Sequence, residues 1–332
     1  MEGLVIQHGA NRYLVETTSG GTRKIWACSI AGRLRQGPRE GVRVAVIGDR
    51  VRIEPIPAGR CDQASIVEVL PRRNRISRPA PGGGSRRVKE QLVVANLDRL
   101  WIIVSLVQPP LNLHFVDRVL AAAVHQGVEA ALVVNKIDLL ADEGPGRGEL
   151  DEVVELYRGL GYPVQLASAK DGHGLEELTA RLSKGVSVFV GPSGAGKTSL
   201  LAALQPGLRL KTAEVSRRRG HGRHTTTGSR LYRLERGGHL ADTPGMREFG
   251  LWGMVKSDLA SCFIEFVDPA SRCRFRDCLH NAEPDCAVRA AVEEGAIDPG
   301  RYRRYLDLLE ELPERRGGDG GGHRRGGRPW GE

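Results

Sequence analysis

One stretch narrows the possible folds more than any other. Val186-Ser187-Val188-Phe189-Val190, an apolar run of strand length, leads straight into Gly191-Pro192-Ser193-Gly194-Ala195-Gly196-Lys197-Thr198, and Ser199 opens a helix-compatible segment that runs to Leu204. Glycines spaced in this way let successive backbone N–H groups turn toward one point, where phosphate oxygens can be received. Lys197 adds a positive charge there, and the Thr198 hydroxyl can ligate a magnesium ion. A chance glycine-rich turn, in a chain holding 43 glycines, would not require the strand before it and the helix after it. The combination calls for a mostly parallel sheet whose strands end at one ligand-binding edge.

The surrounding texture agrees. Apolar runs at 100–107 and 130–134 are separated by helical patterns at 115–125 and 149–160, the alternation of a parallel sheet with helices on both faces. Asn135-Lys136-Ile137-Asp138 follows the run at 130–134 directly. An ionised Asp138 only accepts hydrogen bonds, and guanine offers two adjacent donors on its Watson–Crick edge where adenine does not, so the motif selects the base. Four residues of this kind also make a good turn; the preceding strand and the phosphate loop elsewhere in the chain favour base reading. Ser168-Ala169-Lys170, after a strand pattern at 164–167, fits a short loop supporting guanine. Asp242-Thr243-Pro244-Gly245, after 239–241, fits a loop whose Asp242 holds magnesium through water and whose Gly245 N–H meets the γ-phosphate. Gly222-Arg223-His224-Thr225-Thr226-Thr227 lies where a switch loop would offer Thr225 or Thr226 to magnesium and phosphate. The base-reading motif precedes the phosphate loop, the reverse of the ordinary GTPase order. Such a permutation keeps the site while sending the Asp242 loop straight into whatever follows.

On either side of this region the pattern changes. Short strand patterns at 4–6, 13–15, 24–28, 42–53 and 64–70 fit a small closed barrel of the OB type, which binds RNA or merely packs against its neighbour. Pro79-Ala80-Pro81-Gly82-Gly83-Gly84 breaks every period and reads as a linker or loop. Cys273, Cys278, His280 and Cys286 place three thiols and one imidazole within a short span, enough for a closed, structural zinc site; Cys28, Cys61 and Cys262 stand apart as small buried residues. A helix is expected at 301–312, and the Gly/Arg-rich tail beyond it is expected to be disordered. The formal charge of +9, from 49 Lys plus Arg against 40 Asp plus Glu, favours polyanionic partners, though ordinary solvated surface gives the same balance. No run approaches the roughly 18 apolar residues of a membrane span, and no leader pattern opens the chain, so a cytoplasmic protein without a membrane partner is expected.

Together the barrel, the permuted motifs and the cysteine cluster closely resemble the RsgA family, also called YjeQ or EngC, the small-ribosomal-subunit-dependent GTPases. The resemblance covers about 1–312 and includes Val46-Ile47-Gly48-Asp49 and the run Asp277-Cys278-Leu279-His280 to Glu283-Pro284-Asp285-Cys286. It implies an OB-type RNA-binding domain over 1–78, a permuted α/β P-loop GTPase domain over 79–253 and a mainly helical zinc domain over 254–312, with the tail at 313–332. It implies GTP hydrolysis, stimulated by the small subunit and its rRNA, in late maturation of that subunit, by a protein expected to be a monomer. Met246 stands where many GTPases carry the glutamine that orients the attacking water, so intrinsic hydrolysis should be slow. His224, with Lys197 and Thr226 in the catalytic set, either orients that water or, beside Arg223, contacts RNA. A nucleotide-gated RNA scaffold with incidental turnover is the alternative, and large-subunit relatives are disfavoured because they lack this barrel and zinc pattern.

Overall fold

The computed structural model describes residues 1–9, 12–35, 44–57, 62–79, 90–140, 145–206, 229–242 and 250–314. The chain divides into two compact units, Met1–Trp252 and Gly253–Glu332.

The first unit opens with β1 (Glu2–His8), β2 (Tyr13–Ser19), β3 (Thr22–Ile30), the short helix α1 (Gly32–Arg35), β4 (Arg50–Pro55) and β5 (Gln63–Val69). Strands β1, β2 and β3 pair antiparallel in succession, β3 runs parallel to β5, and β4 pairs antiparallel with both β5 and β1. Those pairings close the ring. Alternate residues of the strands fill it, among them Val5, Val15, Trp26, Val51, Ile53 and Ile66.

The expected strand over 42–53 is corrected. Among its described residues only 50–53 belong to a strand, because the chain turns just before. The buried Asp49 carboxylate accepts the Val46 N–H at 2.8 Å and is gripped by Arg72, whose Nε and Nη2 reach its two oxygens at 2.7 and 2.8 Å. Gly48 stands at φ +84, and a Cβ there would lie 2.0 Å from the Ala95 carbonyl oxygen. Gly48→Ala should therefore lower stability by about 2–4 kcal/mol, from left-handed strain plus a backbone clash. The midpoint of urea unfolding checks this, and an unchanged midpoint would show that the turn relaxes freely.

The turn is where the barrel meets the rest of the unit. β6 (Arg75–Pro79) and β7 (Glu90–Ala95) pair antiparallel, so the Pro/Gly run beginning at Pro79 falls between two paired strands; its residues from 80 onward lie outside the described residues. Ala95 N–H donates to the Ile47 carbonyl and Asn96 Nδ2 to that of Gly48.

From there the chain alternates β8 (Arg99–Val104), α2 (Leu113–His125), β9 (Ala130–Asn135), α3 (Pro145–Gly159), β10 (Val164–Ala167), α4 (Leu175–Leu182), β11 (Val186–Val190) and α5 (Lys197–Leu204), then the hairpin of β12 (Arg230–Arg233) and β13 (His239–Asp242). The strands lie in the order β10-β9-β8-β11-β13, all parallel; β12 pairs antiparallel with β13, and Gln7 opposite Arg230 joins the sheet to β1 of the barrel. Both faces are covered. Leu100, Ile102, Leu132 and Val134 pack with Val116, Leu120, Val153 and Tyr157 of α2 and α3, whereas Trp101, Ile103, Ala131 and Val133 pack with Leu178, Leu182, Leu200 and Leu201 of α4 and α5. β8 stops at Val104, short of the expected 107: the Gln108 N–H bonds to Ser105 Oγ at 3.3 Å, and Pro109 and Pro110 bring no N–H to a ladder.

The second unit contains α6 (Lys256–Leu259), α7 (Val267–Ala270), α8 (Ala287–Glu293) and α9 (Pro299–Glu311). α9 starts where the Asp298 side chain accepts the Arg301 N–H at 2.6 Å, with Pro299 in its first turn. Phe263, Phe266 and Tyr305 form its aromatic core, with ring centroids 4.8–5.2 Å apart. Among the described residues no helix is long and apolar enough to cross a membrane. The expected disordered tail lies outside them from 315 onward.

Candidate functional site

The parallel order places the carboxyl ends of β9, β10, β11 and β13 along one edge, so the loops that follow them share a side of the sheet. β8 separates the phosphate-loop strand β11 from the base-loop strand β9, and the cleft over its end is where a doubly wound sheet receives a nucleotide.

The phosphate loop is shaped by its glycines and fastened by its lysine. A Cβ on Gly191 would strike the Ile103 carbonyl oxygen at 2.1 Å, which fixes how closely the loop rides on β8; Gly194 and Gly196 take φ of +85 and +91, open to glycine at no steric cost. Lys197 Nζ donates to the carbonyls of Gly191 and Pro192 at 2.6 and 2.7 Å, spanning the loop from within. Ala195 is buried, while Ser193, Thr198 and Ser199 are exposed, with Thr198 and Ser199 in the first turn of α5.

Asn135 locks this loop to the other two. It is 1% exposed; its Nδ2 donates to the Ala195 carbonyl at 2.9 Å, and its Oδ1 accepts the Ala169 N–H at 3.3 Å. A Cβ on Gly196 would meet that Nδ2 at 2.2 Å and the Lys136 Cε at 3.6 Å, so Gly196 is small because the base-reading motif leans on it. Lys136 sits at φ +64 and sends Nζ to the Gln108 carbonyl at 2.7 Å; Ile137 starts the short 3-10 turn that carries Asp138. Asp138 is oriented by the Ser168 hydroxyl, donated at 2.7 Å, and by Lys170 Nζ at 3.7 Å, and Ser168 Oγ in turn accepts the N–H groups of Lys170 and Asp171. The carboxylate is thus held in one orientation by its neighbours.

Asp242 ends β13. Thr243, Gly245 and Met246 beyond it, and His224, Thr225 and Thr226 of the expected switch loop, lie outside the described residues, as does Cys61. Cys28 and Cys262 are buried, and burial pushes both thiols up to about 12, so neither is a ready nucleophile.

In the second unit the ligand atoms of Cys273, Cys278, His280 and Cys286 all lie within 4.8 Å of one another. Cys273 and Cys286 sulfurs are 3.9 Å apart, and His280 Nδ1 lies 3.6 and 3.4 Å from them. On tetrahedral zinc two thiolates stand about 3.8 Å apart, and a thiolate and an imidazole about 3.5 Å, so the donors fit that ion. The surroundings hold the loop in place. Tyr302 and Tyr305 hydroxyls donate to the carbonyls of His280 and Leu279, both at 2.7 Å. Glu283 accepts the N–H groups of Leu279, Asn281 and Ala282 at 2.7–3.1 Å. Burial opposes the charge on Glu283, yet the backbone donors outweigh it and keep the carboxyl below its ordinary range. Sequence reasoning did not find the Gln108 carbonyl or the two tyrosines: a main-chain oxygen has no residue signature, and the tyrosines stand 22 and 26 positions from the residues they hold.

Comparison with known proteins agrees with this arrangement. The RsgA GTPase family model matches residues 69–252. A protein of Gemmatimonas aurantiaca named small ribosomal subunit biogenesis GTPase RsgA is 41% identical over 93% of this chain and 97% of its own, and one of the same name from Moorella thermoacetica is 39% identical over 94% and 97%. The crystal structure of YjeQ from Thermotoga maritima superposes with a TM-score of 0.77 at 33% identity, covering 95% of this chain and 99% of that one; that of YloQ, a circularly permuted GTPase, gives 0.74 at 28%, covering 93% and 94%. A phosphate loop interlocked with a guanine-type motif that precedes it, a closed five-stranded barrel and a Cys3His cluster are accounted for together: the chain belongs to the RsgA GTPase family.

Proposed function

We propose that the chain is a GTP hydrolase acting in late maturation of the small ribosomal subunit, where it binds rRNA and couples subunit-stimulated hydrolysis to its own release. The observation that carries the reading is Asn135, which ties the base-reading motif, the phosphate loop and the 168–170 loop into one preformed site. The names of the relatives extend it to the small subunit.

Within that site Asp138 reads the guanine edge, with Ser168, Ala169 and Lys170 supporting it. The N–H groups of the loop from Gly191 to Lys197 receive the phosphates, with Lys197 exchanging its loop carbonyls for phosphate oxygens. Thr198 and Asp242 would hold magnesium, which supplies charge neutralisation on the phosphates. The sequence motifs assign Thr225, Thr226 and Gly245 to the γ-phosphate, and His224 either to orienting water or to an RNA contact. One zinc per chain, held by Cys273, Cys278, His280 and Cys286, staples the second unit. The domain partition at 78/79, 253/254 and 312/313 follows the same reading, with a cytoplasmic monomer as the working form.

Sedimentation tests the partner. With a non-hydrolysable GTP analogue the protein should pellet with isolated small subunits and release them with GDP. Equal pelleting with large subunits, or indifference to nucleotide, would contradict the assignment.

A further inference from the structure

The described residues of the second unit are acidic, although the whole chain is basic. Between Gly253 and Glu314 there are 13 Asp and Glu against 8 Lys and Arg, and three of those eight, Arg272, Arg274 and Arg276, fall within five residues. They surround Phe275, the only aromatic ring among the exposed large hydrophobic side chains of the described residues, at 40% exposure. The Arg274 guanidinium stands 5.5 Å from the ring centroid. This tip lies between Cys273 and Cys278 and turns tightly, with the Cys278 N–H on the Phe275 carbonyl.

A single part-exposed phenylalanine is common on protein surfaces; what distinguishes this one is the guanidinium beside it and the anchored loop that carries it. Here the ring is held out on a four-residue span whose two ends are zinc ligands in the reading above, so little ordering entropy remains to be lost on contact. Arg274 pairs with Asp285 at 3.0 Å, but the two side chains are 64% and 68% exposed, and an ion pair so exposed exchanges readily for a phosphate. Arg276 has no ion-pair partner among the described residues. An aromatic ring with one guanidinium beside it and another arginine next in sequence is the equipment for stacking an unpaired base while its phosphates are neutralised. Among the described residues the acidic remainder of the unit repels phosphate, which favours such a contact at this tip.

We propose that Arg274-Phe275-Arg276 is an RNA contact in which the Phe275 ring stacks on one unpaired base of the ribosomal subunit. The inference rests on the small-subunit reading and adds a specific recognition residue to it.

The test uses the full chain, the GTP analogue and isolated small subunits at low salt. Phe275→Ala should weaken binding by about 5- to 150-fold, the loss expected for one stacked base, with zinc content and GTP binding unchanged. One rRNA base protected from chemical modification by the wild type should become reactive again. Phe275→Trp should restore affinity and protection, with its fluorescence quenched on binding, whereas Phe275→Leu, apolar but without a π face, should behave like alanine. Arg276→Ala should reduce the salt dependence of binding, and Phe275→Ala should leave it as it is. Wild-type affinity in the alanine variant overturns the proposal, as does full function in the leucine variant, which would mark an apolar contact with a protein. Failure of the wild type to bind small subunits at all would remove the small-subunit reading along with this one.

Discussion

Asp138→Asn is expected to reverse the base preference of the site, weakening GTP on the order of 10⁴-fold while bringing xanthosine triphosphate into the useful range. The carboxylate presents two acceptors to two guanine donors. An amide presents one acceptor and one donor, which suits xanthine, where a carbonyl replaces the exocyclic amine. The surroundings of Asp138 make the switch clean. Its Oδ1 is held by the Ser168 hydroxyl, and that hydroxyl is itself fixed by two backbone N–H groups, so a side chain of the same shape has one preferred orientation. Asn135, which holds the three loops together, is untouched by the change. Competition binding with GTP, ATP and xanthosine triphosphate measures the effect; a folded variant that still prefers GTP would show that Asp138 does not read the base.

Removing the zinc should have the second large effect, confined to the second unit. Structural zinc contributes on the order of 10–16 kcal/mol of binding free energy in small fingers, comparable to the whole stability of a typical domain. A core built from about 60 described residues buries only about 60% of its unfolded surface and is marginal without such a staple. Here the loss would propagate along a visible route: the loop presents the carbonyls of Leu279 and His280 to Tyr305 and Tyr302 of α9, and Tyr305 completes the aromatic core with Phe263 and Phe266. Cys286→Ser, or chelation, should therefore abolish slow amide exchange in α9, at Leu308 and Leu309 for instance, while the site in Met1–Trp252 continues to bind GTP. Protein without metal whose α9 amides remain protected would contradict a structural role.

The elements that sequence revealed are those whose signal is local. The strand patterns at 130–134, 164–167 and 186–190 become β9, β10 and β11 almost residue for residue, because a strand buried on both faces needs a largely apolar stretch, interrupted here only by the buried Gln165 and Ser187. The motifs at 135–138 and 191–198 could be proposed for a similar reason: phosphate and guanine each demand particular residue types in a short span. What sequence concealed depends on distant partners. Asp49 bends the chain only because Arg72, 23 residues away, neutralises it. Gly196 is small because Asn135, 61 positions earlier in the chain, lies against it. The hairpin of β6 and β7, the β12 strand and the joining of barrel to sheet through Gln7 and Arg230 leave no periodic trace, being short or set by a partner's register.

Multiple-turnover hydrolysis with each ribosomal subunit in turn decides whether the GTPase reaches its working state on the small subunit. Met246 occupies the position of the usual water-orienting glutamine, so the intrinsic rate should be low. Arg217, Arg218, Arg219 and Arg223 flank His224 in the sequence, so stimulation that works by docking this segment on rRNA phosphates should fall steeply with added salt. Small subunits at low salt should stimulate hydrolysis strongly, His224→Ala should lose most of that stimulation with subunit binding intact, and large subunits should have no comparable effect. Equal stimulation by both subunits, or none by either, would contradict a working state reached on the small subunit.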